Sequence, residues 1–253
     1  MSAPPFTVRE AGAADLPLLA LWLGLQVPHL ALPETPHEHL LVAHDARGLP
    51  RATLRLVPAI GLRLPRPCYH VGCVVHAAPD LGLFHQQPTL LLGHDLTGAA
   101  ELADTAHDGH LGEAELQAAW QALVASALGL IAAEPARFGH RLVAELPGTT
   151  DAAGQSPFWQ GLGRHFYAGD PQAALAEHGR AWVSHVAALM PRHPLLASLL
   201  SDAAQAALGV ADASAAGLQA VLRSRGLRSA QHVRIDDGGP ILEAAVSDLL
   251  SPR

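Results

Sequence analysis

Residues 69–102 read Tyr-His-Val-Gly-Cys-Val-Val-His-Ala-Ala-Pro-Asp-Leu-Gly-Leu-Phe-His-Gln-Gln-Pro-Thr-Leu-Leu-Leu-Gly-His-Asp-Leu-Thr-Gly-Ala-Ala-Glu-Leu. Two apolar runs, residues 71–75 and 90–92, enclose a loop, and the segment beyond them carries His94, Asp95, Thr97 and Glu101. Short strands that deliver polar groups into loops are how α/β enzymes commonly present a site. The stretch therefore sets an expectation for the whole chain, of strands interleaved with helices and a site at the strand ends.

Toward the N-terminus, residues 6–9 read as a strand, and Asp15 with Pro17 opens a helix whose Leu16, Leu19, Trp22 and Leu23 share one side. A Pro-rich connector over residues 26–39 leads to two short strands, 40–43 and 52–56, around the turn-forming Asp45-Ala46-Arg47-Gly48. Toward the C-terminus, Gly112-Glu113-Ala114-Glu115 starts a long Ala/Leu-rich helix to about residue 133, and residues 141–146 form a strand ending at Pro147-Gly148. Ser156 caps a helix with Pro157 at its first position, and Phe158 and Trp159 read as core residues. Helices follow over residues 173–180, 181–190, 195–208 and 217–225, the last two closed by Gly209 and Gly226. A hairpin over residues 232–244 turns at Asp236-Asp237-Gly238-Gly239.

The 253 residues suit one large α/β domain or two small units sharing a sheet, which we divide as 1–150 and 151–253. Charged residues make up 15% of the chain, against ~25% in typical soluble domains. No apolar run approaches the ~18 uninterrupted residues of a membrane span, and residues 1–9 lack the pattern of a signal peptide. A cytoplasmic protein is expected. Cys68 and Cys73 sit at an odd spacing in a strand, which points them to opposite faces and argues against a disulfide between them. A net charge of −7 argues against a nucleic-acid partner. The 16 histidines raise the question of a metal. His37 with His39 and His107 with His110 have usable spacings, but no Cys or carboxylate cluster accompanies them, so no metal is expected.

Several short runs together resemble the arginine N-succinyltransferase family. They are Val71-Gly72 with Val75-His76-Ala77, Pro88-Thr89-Leu90 with Asp95, Thr97-Gly98 and Glu101-Leu102, and Val143-Ala144-Glu145. Ser156-Pro157-Phe158-Trp159 with Gly161-Leu162-Gly163 and His165-Phe166, Leu189-Met190-Pro191-Arg192-His193-Pro194 and Gly238-Gly239-Pro240 continue the series in family order. The resemblance implies a GNAT-like acyltransferase fold (α/β, of the α+β kind) with two GNAT-type units around mixed, largely antiparallel sheets. It implies succinyl transfer from succinyl-CoA, a co-substrate rather than a tightly bound cofactor, to the α-amine of arginine or a related amine. A homo-oligomer, or a hetero-oligomer with a related chain, is expected, with no membrane partner.

The residues that chemistry of this kind needs are a base for the amine, carboxylates for a guanidinium and amides for the CoA phosphates. His76 and His94 are candidate bases, and Asp95, Thr97, Glu101 and Glu145 are candidate acceptor-binding groups. The resemblance puts the CoA contacts at Thr105, Ala106, Gly109 and Gly112, yet the family's basic loop is replaced by His107-Asp108-Gly109-His110-Leu111-Gly112-Glu113-Ala114-Glu115. The family's Gly-Gln-Val-His-Pro, whose His looks like the proton donor, is replaced by Gly209-Val210-Ala211-Asp212-Ala213. Asp212 donates a proton only if burial raises its pKa. The sequence ends at Arg253, where family members continue into a further small region. A non-catalytic homologue that assembles with an intact succinyltransferase chain, or senses a related ligand, is the alternative expectation.

Overall fold

The computed structural model describes residues 6–35 and 37–251. Strand β1 (Thr7–Glu10) and helix α1 (Leu16–Trp22) precede the expected hairpin of β2 (His39–His44) and β3 (Pro50–Val57). Its turn is closed by Asp45, whose carboxylate accepts from the Arg47 and Leu49 amides at 2.9 and 3.0 Å. A longer hairpin follows, of β4 (Cys68–Ala78) and β5 (Leu83–Gly93), and then β6 (Ala100–His107), α2 (Glu113–Ala133) and β7 (Arg141–Glu145). The remainder comprises α3 (Pro157–Gly161), α4 (Pro171–His178), α5 (Ala181–Ala187), β8 (Leu195–Leu196), α6 (Asp202–Ala207), α7 (Ala216–Arg225), β9 (Arg228–Val233), β10 (Pro240–Ala245) and α8 (Val246–Leu250).

The ten strands form one sheet in the order β1-β2-β3-β6-β7-β10-β9-β4-β5-β8. Its pairs are antiparallel with one exception, β6 beside β7, which are parallel and joined through α2. The mixed, largely antiparallel α/β architecture is thus as expected. The sheet does not break at residue 150, because β9 and β10 insert between β7 and β4 and bond to both.

Two differences from the expected elements have local causes. Residues 195–208 are not one helix: Leu195 and Leu196 pair with β5, and Ser201 restarts a helix by accepting from the Ala204 amide at 3.3 Å. The sequence of β6, Ala-Glu-Leu-Ala-Asp-Thr-Ala-His, does not itself predict a strand, since it is poor in β-branched and aromatic residues. It is a strand because it runs between β3 and β7 in the middle of the sheet, where small side chains fit.

The main core lies between the sheet and α2, whose Ala119, Trp120, Leu123, Val124, Ala127 and Ile131 recur at helical spacing and are buried. Among the described residues, α2 alone is long and apolar enough to cross a membrane, with a mean hydropathy of 1.5, and its apolar stripe lies on the sheet instead. Burial of each large side chain in that stripe contributes ~1.5–3 kcal/mol. A second core joins Tyr69, Leu90 and Val233 of the sheet to Phe158, Trp159, Trp182 and Val186. Beyond it the β4–β5 hairpin projects as an arm. β4 pairs with β9 only at Tyr69 and His70, and β5 with β8 only at Thr89 and Leu90, while Val75, Leu81, Leu83 and Phe84 are 50–73% exposed.

Candidate functional site

Strands β6 and β7 are paired over three positions, from Ala100 with Leu142 to Leu102 with Ala144. Past Leu102, β6 stays with β3 through a bulge. Asp104 lies in that bulge at φ 45°, a conformation that costs a non-glycine residue ~1–3 kcal/mol and that persists only where surrounding contacts enforce it. In α/β sheets the crevice at the carboxyl ends of parallel strands is the usual ligand seat. Here that crevice is a small cavity of about 270 Å3, bordered by Arg66, Glu101, Asp104, Thr105, Glu145 and Arg180 among others.

Alternating charges tie this wedge together. Arg66 donates to Glu101 on β6 at 2.5 Å and to Glu145 on β7 at 2.9 and 3.0 Å. Arg180, at the start of α5, donates to the other Glu101 oxygen at 3.4 Å and to Asp104 at 2.6 Å. Arg55 on β3 completes the row, bonding Asp104 at 2.5 Å, Glu38 at 2.6 Å and the Ala31 carbonyl at 2.8 Å. Glu101 is 1% exposed, and burial holds its pKa above the usual range against the pull of Arg66 and Arg180. Burial acts the same way on Asp104, but Arg180 and Arg55 outweigh it and bring its pKa down. Removing two charges from water is repaid only when the partners' hydrogen bonds are satisfied, and this row satisfies them in sequence.

A second, larger cavity of about 1000 Å3 adjoins the first, sharing Pro147, Leu175 and Asp236 with it. Its floor is the turn before β10. Arg234 donates to both oxygens of Asp236 at 3.1 and 2.5 Å and lies 3.1 Å from Asp237. Asp236 is lowered by Arg234 despite its burial, whereas burial and the neighbouring Asp236 push Asp237 up to about 6. The turn is pressed against the end of β7. A Cβ on Gly148 would lie 2.3 Å from the Asp237 carbonyl oxygen, and one on Gly239 would lie 2.2 Å from that of Leu146, so both positions require glycine. Trp159, Tyr167 and Trp182 pack edge-on or tilted at centroid distances of 5.7–6.3 Å and form the aromatic wall.

Of the acceptor-binding residues expected from sequence, Glu101 and Glu145 meet, through Arg66. Asp95 and Thr97 lie in the turn before β6 and border neither cavity. Asp95 is 3.2 Å from His232, and its carbonyl accepts from Arg141 at 2.5 Å. His76 is exposed on the projecting arm, paired with His85, and His94 is exposed at the end of β5. Neither borders a cavity.

Asp212 does border the large cavity, but not as the acid that the sequence suggested. Its carboxylate caps a short 3-10 turn by accepting from the Ser214 hydroxyl at 2.6 Å and the Ser214 amide at 2.9 Å, and these bonds lower its pKa. An ionised capping group has no proton to give near neutrality.

The expected CoA positions run from the end of β6 to the start of α2. Thr105 borders the wedge, Ala106 is buried opposite Thr53, Gly109 is exposed, and Gly112 is the N-cap of α2. The Gly112 amide donates to the Glu115 carboxylate at 3.2 Å. The helix start therefore carries its own anion, where the helix dipole favours one. Residues 107–110 are likewise engaged: His107 packs on Trp120 at 6.0 Å, and Asp108 accepts from the His110 ring at 2.7 Å.

Sequence reasoning passed over Arg66, Arg180, Arg55 and Asp104. The available signal was that all 16 basic residues of the chain are arginine and none is lysine. Arginine's fixed fork suits paired, desolvated carboxylates, where lysine suits a solvated surface.

A mixed sheet with one diverging parallel pair, a helix crossing between its strands and a charged crevice at their ends defines a GNAT-like α/β fold. The chain belongs to the arginine N-succinyltransferase beta subunit family, whose model it matches over residues 31–251. It is 34% identical over 216 residues to an arginine N-succinyltransferase of Salmonella arizonae, covering 85% of this chain and 62% of that protein. A Salmonella paratyphi B relative of the same name matches at the same identity and coverage. The chain thus spans 62% of the length of the curated relatives it matches. The fold is also that of the arginine/ornithine succinyltransferase subunit AI from Pseudomonas aeruginosa, with a TM-score of 0.79 at 24% identity over 98% of this chain and 79% of that one.

Proposed function

We propose that the chain is an acyl-CoA-dependent amine acyltransferase of the arginine N-succinyltransferase type, moving a succinyl group from succinyl-CoA to the α-amine of arginine. The observation that carries the reading is the wedge between β6 and β7, braced by Arg66, Glu101 and Arg180 and adjoining the large cavity. In this reaction the amine nitrogen attacks the thioester carbonyl and the carbon–sulfur bond breaks. The proton released by the amine balances the one taken by the thiolate. Asp237, with its pKa pushed up to about 6 by burial and Asp236, is the cavity carboxyl suited to accept that proton near neutral pH. Arginine-dependent release of free CoA tests the reading.

One observation favours a second reading, a non-catalytic subunit that assembles with an intact succinyltransferase chain. Glu115 fills the start of α2, where a pyrophosphate would otherwise be received. Co-purification with a full-length relative, without CoA binding by this chain, would select it.

Either reading is compatible with an oligomer, and the β4–β5 arm supports one, since its edges are unpaired along most of their length and its apolar side chains are exposed. We further propose that residues 1–150 and 151–253 are two GNAT-type units sharing the sheet, in a cytoplasmic protein. The free thiols of Cys68 and Cys73 suit a reducing compartment.

A further inference from the structure

Glu101 and Glu145 are the carboxylates that the sequence offers to a guanidinium, and both are already bonded to Arg66, with Arg180 on the remaining side of Glu101. A second guanidinium could bind them only by displacing a buried partner, at the cost of leaving that partner's charge uncompensated. A cationic acceptor needs another seat close to the wedge. The adjoining cavity is within the ~300–1000 Å3 of small-molecule pockets and shares Pro147, Leu175 and Asp236 with the wedge.

We infer that this cavity is the seat of a basic amino acid, its cationic side chain held between Asp212 and Tyr167 and its carboxylate directed to Arg164. The inference rests on the acyltransferase reading for the identity of the ligand as acceptor, and on the cavity itself for its chemistry. Four carboxylates, Asp170, Asp212, Asp236 and Asp237, border the cavity, against the single guanidinium of Arg164. Arg234 engages Asp236 through both oxygens and lies 3.1 Å from Asp237, so four carboxylates face two guanidiniums and negative charge remains in excess. Burial first, and then the neighbouring Asp236, push the pKa of Asp237 up to about 6 against the pull of Arg234.

Part of the cavity wall is aromatic. Tyr167 keeps partial exposure within the Trp159–Tyr167–Trp182 cluster, and a ring face attracts a planar cation. Trp182 borders the cavity, is 4% exposed, and its indole N–H has no hydrogen-bond partner among the described residues. An unpaired buried donor is a group that a ligand acceptor such as a carboxylate would satisfy. The same charge pattern repels phosphates, so the cavity suits the acceptor and not the nucleotide end of an acyl-CoA.

Calorimetric titration of the full chain with L-arginine, L-citrulline and agmatine tests this without any acyl donor. Citrulline has nearly the shape of arginine but a neutral urea, and agmatine keeps the guanidinium without the carboxylate. The expected result is binding of arginine, with citrulline weaker by roughly ten-fold or more, the effect of losing a hydrogen bond between charged groups. Asp212→Asn, which can still accept from Ser214, is expected to weaken arginine binding by roughly ten-fold, and Tyr167→Ala by roughly five-fold. Arg164→Ala should weaken arginine while leaving agmatine unchanged. Equal binding of citrulline, arginine binding indifferent to all three substitutions, or no arginine binding by the unmodified chain would each overturn the inference. Arginine-dependent CoA release with binding indifferent to the cavity variants would remove this seat but leave the acyltransferase reading standing. Cavity-dependent arginine binding without turnover would do the reverse.

Discussion

The Arg66 guanidinium bonds Glu101 at 2.5 Å in the wedge where the neighbouring strands β6 and β7 part. The two side chains are 15% and 2% exposed, so neither can replace its partner with bulk water. Through Glu145, Arg66 also fastens the end of β7, and through Glu101 it meets Arg180, the N-cap of α5. The pair thus links the sheet to the helical layer at the border of the smaller cavity.

Glu101→Ala is expected to lower stability by about 3 kcal/mol or more, because it leaves two guanidiniums facing a buried gap. Arg66→Ala should cost a similar amount by stranding Glu101. The double variant should be less destabilised than the sum of the two, by about 1–3 kcal/mol, as expected of residues in one network. Urea denaturation of the four proteins measures this, and additive losses would show that the pair is not coupled.

Stability should peak on the acid side of neutrality. Asp237 has a raised folded-state pKa of about 6, so the folded chain takes up a proton as pH falls through that value and gains stability relative to the unfolded chain. Asp104 and Asp236 have lowered pKa values, so their contribution is present above the usual carboxylate range and is lost as pH falls through their folded values. Denaturation midpoints across pH should therefore rise from pH 8 toward about 5 and fall at lower pH. Asp237→Asn should flatten the upper limb only.

Much of this fold was legible from residue pattern. The turn at Asp45-Ala46-Arg47-Gly48, the Ser156-Pro157 helix start, the α2 stripe and the Asp236-Asp237-Gly238-Gly239 hairpin all lie where local chemistry put them, since turns and caps are decided within a few residues. β6 was illegible because its strand conformation is imposed by neighbours on both sides rather than by its own Ala-rich sequence. The site was partly legible. Glu101 and Glu145 are legible as candidate carboxylates, Glu145 on an expected strand, but their partners, Arg66 before β4 and Arg180 before α5, come from distant segments that local sequence does not connect. Asp212 was singled out as an acid, and its role as a cap depended on Ser214, two residues on.

At α2, Glu115→Gln should raise affinity for free CoA by roughly two- to five-fold, the effect of removing one anion from a helix N-terminus. Equilibrium binding at low salt reads this directly. Unchanged affinity would mean that the helix start takes no part in phosphate binding.

On the arm, Phe84→Glu places a charge at a residue that is 69% exposed, so it should leave the fold of a lone chain intact. In light-scattering measurements of molar mass it should shift an oligomer toward the monomer. An oligomer of unchanged size would place the interface elsewhere.

The most direct test of the central claim is the release of CoA thiol from succinyl-CoA by the purified chain, with and without L-arginine, with the product arginine analysed by mass spectrometry. Thiol release is expected to depend on arginine, to be stoichiometric with an arginine succinylated on its α-amine, and to be abolished in Asp237→Asn. A folded chain that releases no thiol above the arginine-free rate would contradict the claim and leave the non-catalytic subunit as the function of this fold.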